Sequence, residues 1–113
     1  MQIFKFGGAS VKDAAGVRNV AKILEKVGYA HSLIVISAMG KTTNALEVVV
    51  NNYFKAPAQL PESLQTIKDF HYQIIRELFS DENHPVYWKV DGLFAELSSF
   101  LERNKSPKHS FVY

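Results

Sequence analysis

A lysine and two adjacent glycines near the N-terminus could bind and stabilise a phosphate group. Lys5 lies at the end of a short apolar segment, and Gly7, Gly8 and Ser10 follow it. Adjacent glycines let the main chain approach a bulky anion without an intervening Cβ atom, and free N–H groups at the start of a helix favour negative charge. The ammonium group could follow a phosphoryl group as its charge shifts during transfer. These residues fit a phosphate-binding loop and an ordinary strand-to-helix turn equally well.

A second polar segment, residues 37–44, favours a nucleotide-binding function. It contains a glycine, a lysine and several hydroxyl side chains, namely Ser37, Gly40, Lys41, Thr42 and Thr43. Its centre resembles the end of a Walker A loop, but that pattern requires a glycine five positions before Gly40, where Val35 stands. The first segment likewise lacks the spacing of the dinucleotide-binding motif. The second segment could bind phosphate or a small polar substrate, whereas a capped helix start explains only Thr42 or Thr43.

The hydrophobic spacing predicts the elements that position these two segments. Residues 2–6 are typical of a strand, and apolar side chains recur at helical intervals from Val17 to Val27, before Gly28. This pattern predicts a helix that opens from Ser10. Residues 32–37 are apolar on both faces and rich in β-branched side chains, which is typical of a strand buried in a parallel sheet. A right-handed βαβ unit would bring both polar segments to one edge of the sheet.

The rest of the chain is predicted to be helical. We expect a helix over residues 45–54, capped by Thr42 or Thr43, and amphipathic helices over residues 64–78 and 90–101, the last broken by Pro107. The chain ends on an apolar triplet, which indicates a cut sequence. We therefore predict a single incomplete α/β domain, with a phosphate-loop part over residues 1–59 and a helical segment over residues 60–113.

Composition excludes several classes of function. With 47% hydrophobic and 21% charged residues among 113, the chain is expected to form a globular core. A net charge of +2 with scattered basic residues argues against a nucleic-acid or membrane partner. The absence of cysteine and of an apolar run of roughly 20 residues predicts a cytoplasmic protein. The histidines lack metal-ligand spacing, so no metal site is predicted; they are His31, His71, His84 and His109.

The two polar segments together resemble the N-terminus of the aspartokinases, in the amino-acid kinase family. The resemblance rests on Lys5-Phe6-Gly7-Gly8-Ala9-Ser10 and, thirty residues after Lys5, on Val35-Ile36-Ser37-Ala38-Met39-Gly40-Lys41-Thr42-Thr43-Asn44. It implies the N-terminal part of a three-layer α/β/α kinase fold. It also implies phosphorylation of the β-carboxylate of L-aspartate by ATP with Mg²⁺, giving 4-phospho-L-aspartate for lysine, threonine and methionine synthesis. Separately, two parallel strands alone leave an unpaired edge and uncovered apolar surface, so we expect a homo-oligomer.

The resemblance also implies a role for individual residues. Lys5 would stabilise the transferring phosphoryl group, and Gly7, Gly8 and Ser10 would form the phosphate loop. Ser37 would lie between nucleotide and substrate, and Thr43 would contact aspartate. Ala9 stands where the family usually has threonine. Aspartokinases are several times longer and supply further acidic residues, an adenine-binding region and ACT-type regulatory domains, so the resemblance implies an inactive N-terminal fragment.

Two other functions stay open at this stage. Sister enzymes of the amino-acid kinase family phosphorylate glutamate, acetylglutamate or nucleoside monophosphates, although the Ser-Ala-Met-Gly-Lys-Thr-Thr segment at residues 37–43 favours aspartate. Alternatively, the chain could be a binding or assembly module that kept the fold and lost the chemistry.

Overall fold

A computed structural model describes residues 1–103 of the chain. Its regular elements are the strands β1 (Gln2–Phe6) and β2 (Ser32–Ile36) and the helices α1 (Ala14–Val27), α2 (Thr42–Lys55), α3 (Leu60–Leu78) and α4 (Pro85–Arg103). Short 3₁₀ turns occupy Gly8–Val11 and Pro57–Gln59. The chain divides into two compact units, Met1–Thr43 and a second that begins at Asn44. Pro107, His109 and the terminal triplet lie outside the described residues.

The first unit is a βαβ arrangement, as predicted. β1 and β2 are parallel neighbours in a two-stranded sheet, and their register runs from Gln2 opposite Ser32 to Phe6 opposite Ile36. Because side chains alternate between the faces of a strand, the odd-numbered residues of both strands share one face. This open face consists of Ile3, Lys5, Leu33 and Val35, all exposed. β2 was predicted to be buried on both sides, but among the described residues this face is uncovered.

Helix α1 does not begin at Ser10, which corrects the sequence-based prediction. A 3₁₀ turn follows the glycine pair, and the α-helix starts at Ala14 after Asp13 as its N-cap. A carboxylate oxygen of Asp13 accepts the N–H of Gly16 at 2.7 Å, which satisfies one of the free donors at the helix start. At the other end, Gly28 adopts φ +78° and donates its N–H to the carbonyl of Leu24, so the helix stops where the sequence predicted.

The second unit is helical, with a core formed by one buried residue from each of its three long helices: Val49 on α2, Ile67 on α3 and Leu101 on α4. The predicted amphipathic stripes form much of this packing, and Ile74 and Ile75 are also buried. Leu93 and Trp88 on α4 are large apolar side chains that stay about two-thirds exposed, at 65% and 64%. Among the described residues, no helix combines the length and apolar character needed to cross a membrane.

A hydrogen bond between side chains joins α3 to α4. The hydroxyl of Tyr72 on α3 donates to the carboxylate of Asp91 on α4. Partial burial and this neighbouring carboxylate raise the pKa of Tyr72 to about 12. The phenol therefore stays protonated, and able to donate, well above the pH at which a tyrosine in water ionises.

Candidate functional site

The two polar segments begin where the parallel strands end. The N–H of Ser37 donates to the carbonyl oxygen of Phe6 at 2.9 Å, which extends the strand pairing by one residue. The main chain of Ser37 is thereby fixed beside the residue that precedes Gly7. The structure thus brings the first glycine segment and the second polar segment to one edge of the sheet, as the βαβ prediction required.

Gly8 and Gly40 lock these segments together through main-chain atoms. The N–H of Gly40 donates to the carbonyl oxygen of Gly8 at 3.2 Å. A Cβ atom on Gly8 would lie 2.8 Å from the Gly40 carbonyl oxygen and 3.2 Å from that of Ala38. Gly40 has φ +57°, a left-handed conformation that glycine adopts without strain. The approach of the two loops therefore requires glycine at position 8, and the backbone of Gly40 also favours glycine.

Gly7 differs from Gly8, because a Cβ atom on it would meet nothing within 4 Å. Its backbone is extended, with φ −78° and ψ 175°, and its carbonyl oxygen accepts the N–H of Ser10 at 3.0 Å. Within the described residues, the N–H groups of Gly8 and Ala9 donate no hydrogen bond. Open space beside Gly7 and two adjacent unused donors make this turn suitable for an anion.

Ser10 is held by the start of helix α1. A Cβ atom on Gly16 would lie 2.5 Å from the carbonyl oxygen of Ser10, so only glycine permits this approach without displacing the turn. Asp13 fixes Gly16 through the N-cap hydrogen bond. Its carboxylate also places a negative charge at this helix end, which corrects the idea that the N-terminus of α1 attracts the phosphate. The anion-binding potential lies in the 3₁₀ turn instead.

Lys5 and the hydroxyl side chains lie around this main-chain frame. Lys5 is exposed on the open face, opposite Val35, and has no ion pair with any described residue. The side chains of Ser10, Ser37 and Thr43 are exposed, and none hydrogen-bonds to another residue in positions 1–103. Main-chain hydrogen bonds thus link Ser10 to Gly7, Gly40 to Gly8, and Ser37 to Phe6. Within residues 1–103, no hydrogen bond or ion pair joins the side chain of Lys5 or Thr43 to these residues.

Thr42 does not cap helix α2 in the way that the sequence suggested. Its hydroxyl donates to the carbonyl oxygen of Met39 at 2.5 Å, and its N–H donates to the same oxygen at 3.1 Å. Helix α2 begins at Thr42, three residues before the predicted start, and Thr43 lies in its first turn. The double contact ties the end of the second loop to the start of the helix.

Sequence reasoning missed three residues that shape this site. Gly40 was noted but not assigned a role, and Asp13 and Gly16 were not singled out. An aspartate just before an apolar helical pattern is a common signal for the start of a helix. This signal could have identified Asp13. Nothing in the sequence predicted the close approach of Gly16 to Ser10, which depends on the geometry of the intervening turn, or that of Gly40 to Gly8, which depends on how two distant segments pack.

Comparison with known protein sequences finds similarity to aspartokinases. The chain is 36% identical over 83 residues to aspartokinase 1 of Arabidopsis thaliana and 34% identical over 79 residues to aspartokinase 2 of the same plant, both named as chloroplastic. These matches cover 70% and 67% of this chain but 14% of each relative, so the chain spans about one seventh of their length. No protein-family model matches the sequence. Over this part of its length, the chain is related in sequence to the aspartokinases.

Proposed function

We propose that this chain is the N-terminal part of an aspartokinase catalytic domain, which phosphorylates the β-carboxylate of L-aspartate with ATP. The observation that carries the proposal is the main-chain lock between Gly8 and Gly40, which joins the two segments that resemble aspartokinases. The similarity to two aspartokinases supports the same choice. No observation favours glutamate, acetylglutamate or nucleoside monophosphate as substrate.

The 3₁₀ turn fits the phosphates of ATP. The N–H groups of Gly8 and Ala9 are unused, and the space beside Gly7 is open. We assign Gly7, Gly8 and Ser10 to phosphate binding, Ser37 to the junction between nucleotide and aspartate, and Thr43 to aspartate binding. Lys5 would supply positive charge to the transferring group. Because donors fixed by the fold need no reorganisation during the reaction, this rigid frame suits phosphoryl transfer.

Residues 1–103 do not form a magnesium site of their own. No group of three or more His, Asp or Glu side chains that could hold a metal ion occurs within residues 1–103. Mg²⁺ in kinases is bound by one or two carboxylates together with substrate phosphates. We therefore assign no metal ligand to the described residues and place the acidic ligands in a segment of the complete enzyme that this chain does not contain.

A chimera tests the proposal. The region of Arabidopsis aspartokinase 1 that aligns with this chain is replaced by this sequence, and ADP formation that depends on aspartate is measured. We expect an active chimera whose turnover falls by a factor on the order of 10² to 10³ on Lys5→Met, because one electrostatic donor to the transition state is lost. The KM values for ATP and aspartate should change less than turnover.

Lys22→Met is the matched control, because Lys22 is an exposed lysine on α1 outside the site. It should leave turnover unchanged. A folded chimera without activity would contradict the proposed function. An active chimera in which Lys5→Met keeps full turnover would contradict only the role of Lys5.

The oligomeric state and the cellular location of the protein remain predictions. A homo-oligomer is proposed because three apolar side chains of the open face are exposed, with Ile3 at 67%, Leu33 at 49% and Val35 at 44%. Light scattering coupled to size exclusion would refute it by finding a monomer at tens of micromolar. A cytoplasmic location is the sequence-based prediction, whereas the two relatives are named as chloroplastic.

A further inference from the structure

The second unit contains a cavity of about 680 Å³ between its helices. Sites for small organic ligands usually measure roughly 300–1,000 Å³ and lie between helices in helical folds. The cavity walls include Tyr53 of α2, Pro57 of the second 3₁₀ turn, and Leu101 of α4. All of its described lining residues belong to the second unit, so the cavity does not depend on the loops assigned to phosphate binding.

One wall of the cavity runs along helix α3 and ends in a positive charge. Leu60, Leu64 and Lys68 recur every four residues, which places them on one face of the helix. The leucines supply an apolar surface, and the lysine follows them at the end of the row. This order matches a ligand with an apolar body and an anionic group.

The hydroxyl of Tyr53 has no hydrogen-bond partner among the described residues. Its oxygen is buried, and it is the buried side-chain atom in residues 1–103 that is left without one. A buried hydroxyl without a partner destabilises a folded protein, so native structures usually satisfy such groups. Tyr53 lines the cavity, but its hydroxyl oxygen is shielded in this conformation, so a ligand oxygen could supply the missing bond only after the tyrosine side chain shifts toward the cavity.

Two charged side chains line the described part of the cavity, Lys68 and Glu102, and Lys68 is the one with no charged partner among residues 1–103. Lys68 is the cation among the described lining residues, and no described carboxylate pairs with it; its ammonium lies 5.9 Å from the centre of the Phe94 ring. Glu102 also lines the cavity but is engaged in another interaction. A ligand carboxylate would therefore meet an available positive charge at Lys68.

We propose that this cavity binds an organic carboxylate with an apolar body, whose hydrocarbon part contacts Leu60, Leu64 and Leu101 and whose carboxylate pairs with Lys68. When the Tyr53 side chain turns toward the cavity, an oxygen of the ligand accepts its hydroxyl hydrogen. The site is separate from the proposed aspartokinase site, and its test needs no kinase activity.

The test measures binding of three matched probes to the full 113-residue chain. Octanoate, 1-octanol and octylammonium share an eight-carbon body and differ in charge, and amide shifts in ¹H–¹⁵N spectra report where each one binds. We expect saturable binding of octanoate that shifts the amides of Leu60, Leu64 and Lys68, and weaker binding of the other two probes. Tightest binding of octylammonium would overturn the proposal, because Glu102 would then select the ligand. Shifts centred on the open face, without shifts at the cavity, would also overturn it.

Two variants separate the contributions of charge and hydroxyl. Lys68→Met should weaken octanoate binding about fivefold, as expected for a pair partly open to solvent, and leave 1-octanol unchanged. Tyr53→Phe should weaken octanoate binding about two- to tenfold without lowering the melting temperature, because the folded protein loses no hydrogen bond.

Lys89→Met is the matched control for the charge. Lys89 lies at the same 5.9 Å from the centre of an aromatic ring, that of Trp88, and is absent from the described lining of the cavity. It should leave octanoate binding unchanged. Equal losses in Lys68→Met and Lys89→Met would show that overall charge, and not this cavity, attracts the probe, and would overturn the proposal.

Discussion

Alanine at Gly7 and at Gly8 should have opposite effects on stability, although the two glycines are adjacent. At Gly8 the added methyl group would lie 2.8 Å and 3.2 Å from two carbonyl oxygens, both in the main chain. Relieving such overpacking costs about 1–3 kcal/mol, and losing the hydrogen bond from Gly40 costs about 0.5–1.5 kcal/mol more. We therefore expect Gly8→Ala to lower the free energy of unfolding by about 3 kcal/mol.

At Gly7 the methyl group would enter open space, and alanine adopts the observed backbone angles without strain. Fewer conformations in the unfolded chain should then stabilise Gly7→Ala by about 0.4–1 kcal/mol. Thermal unfolding followed by circular dichroism should show Gly8→Ala melting roughly 10 °C or more below the parent chain, and Gly7→Ala at or above it. If Gly8→Ala melted with the parent, or Gly7→Ala lost as much stability, the loop packing argued here would be wrong.

Gly7→Ala should also separate fold from function. The methyl group would occupy the space beside the unused N–H groups of Gly8 and Ala9, where the phosphate is proposed to bind. In an amide-resolved titration with ATP, these two signals should shift in the parent and not in the folded variant. A parent-like response of Gly7→Ala would place the phosphate elsewhere.

Three further outcomes are expected. Asp13→Ala should lower the free energy of unfolding by about 1 kcal/mol in urea titrations, whereas Asp13→Asn, which can still cap Gly16, should lose less. The pKa of Tyr72 is raised from 10.0 to about 12 in the folded protein, so its contribution to the free energy of unfolding is fully present below pH 10 and is lost as pH rises through 12. Tyr72→Phe should therefore flatten the pH dependence of the free energy of unfolding between these two values. The purified 113-residue chain should form no ADP with ATP and aspartate, since phosphoryl transfer needs further charged groups, and clear activity would refute the assignment as an incomplete domain.

The sequence predicted the elements whose signals are local. Parallel pairing of residues 2–6 with residues 32–36 followed from their apolar character and from the intervening helical pattern, and both amphipathic helices formed close to the predicted bounds. The start of α1 was missed because Ser10 and Asp13 are both good capping residues, and the prediction began the helix at Ser10 without considering Asp13. In the structure, the Gly16 N–H donates to the Asp13 carboxylate, so Asp13 and not Ser10 caps the helix.

The main-chain packing that supports the candidate site could not be predicted from the sequence. Glycine at positions 7 and 8 suggested close approach of an anion to both. In the structure, the space that a Cβ atom on Gly8 would fill is taken by the carbonyl group of Gly40. The space beside Gly7 is open. No local pattern distinguishes two neighbouring glycines, since the difference arises from a loop more than thirty residues away.

The lock between Gly8 and Gly40 has a consequence for how this site can change during evolution. Its hydrogen bond joins main-chain atoms, so the side chains of Ala9, Met39 and Lys41 take no part in it. Substitutions at those three positions can alter the size and charge of what is bound without loosening the frame. Under the proposed function, acceptor preference could therefore change among descendants while the main-chain geometry proposed to hold the phosphate is kept.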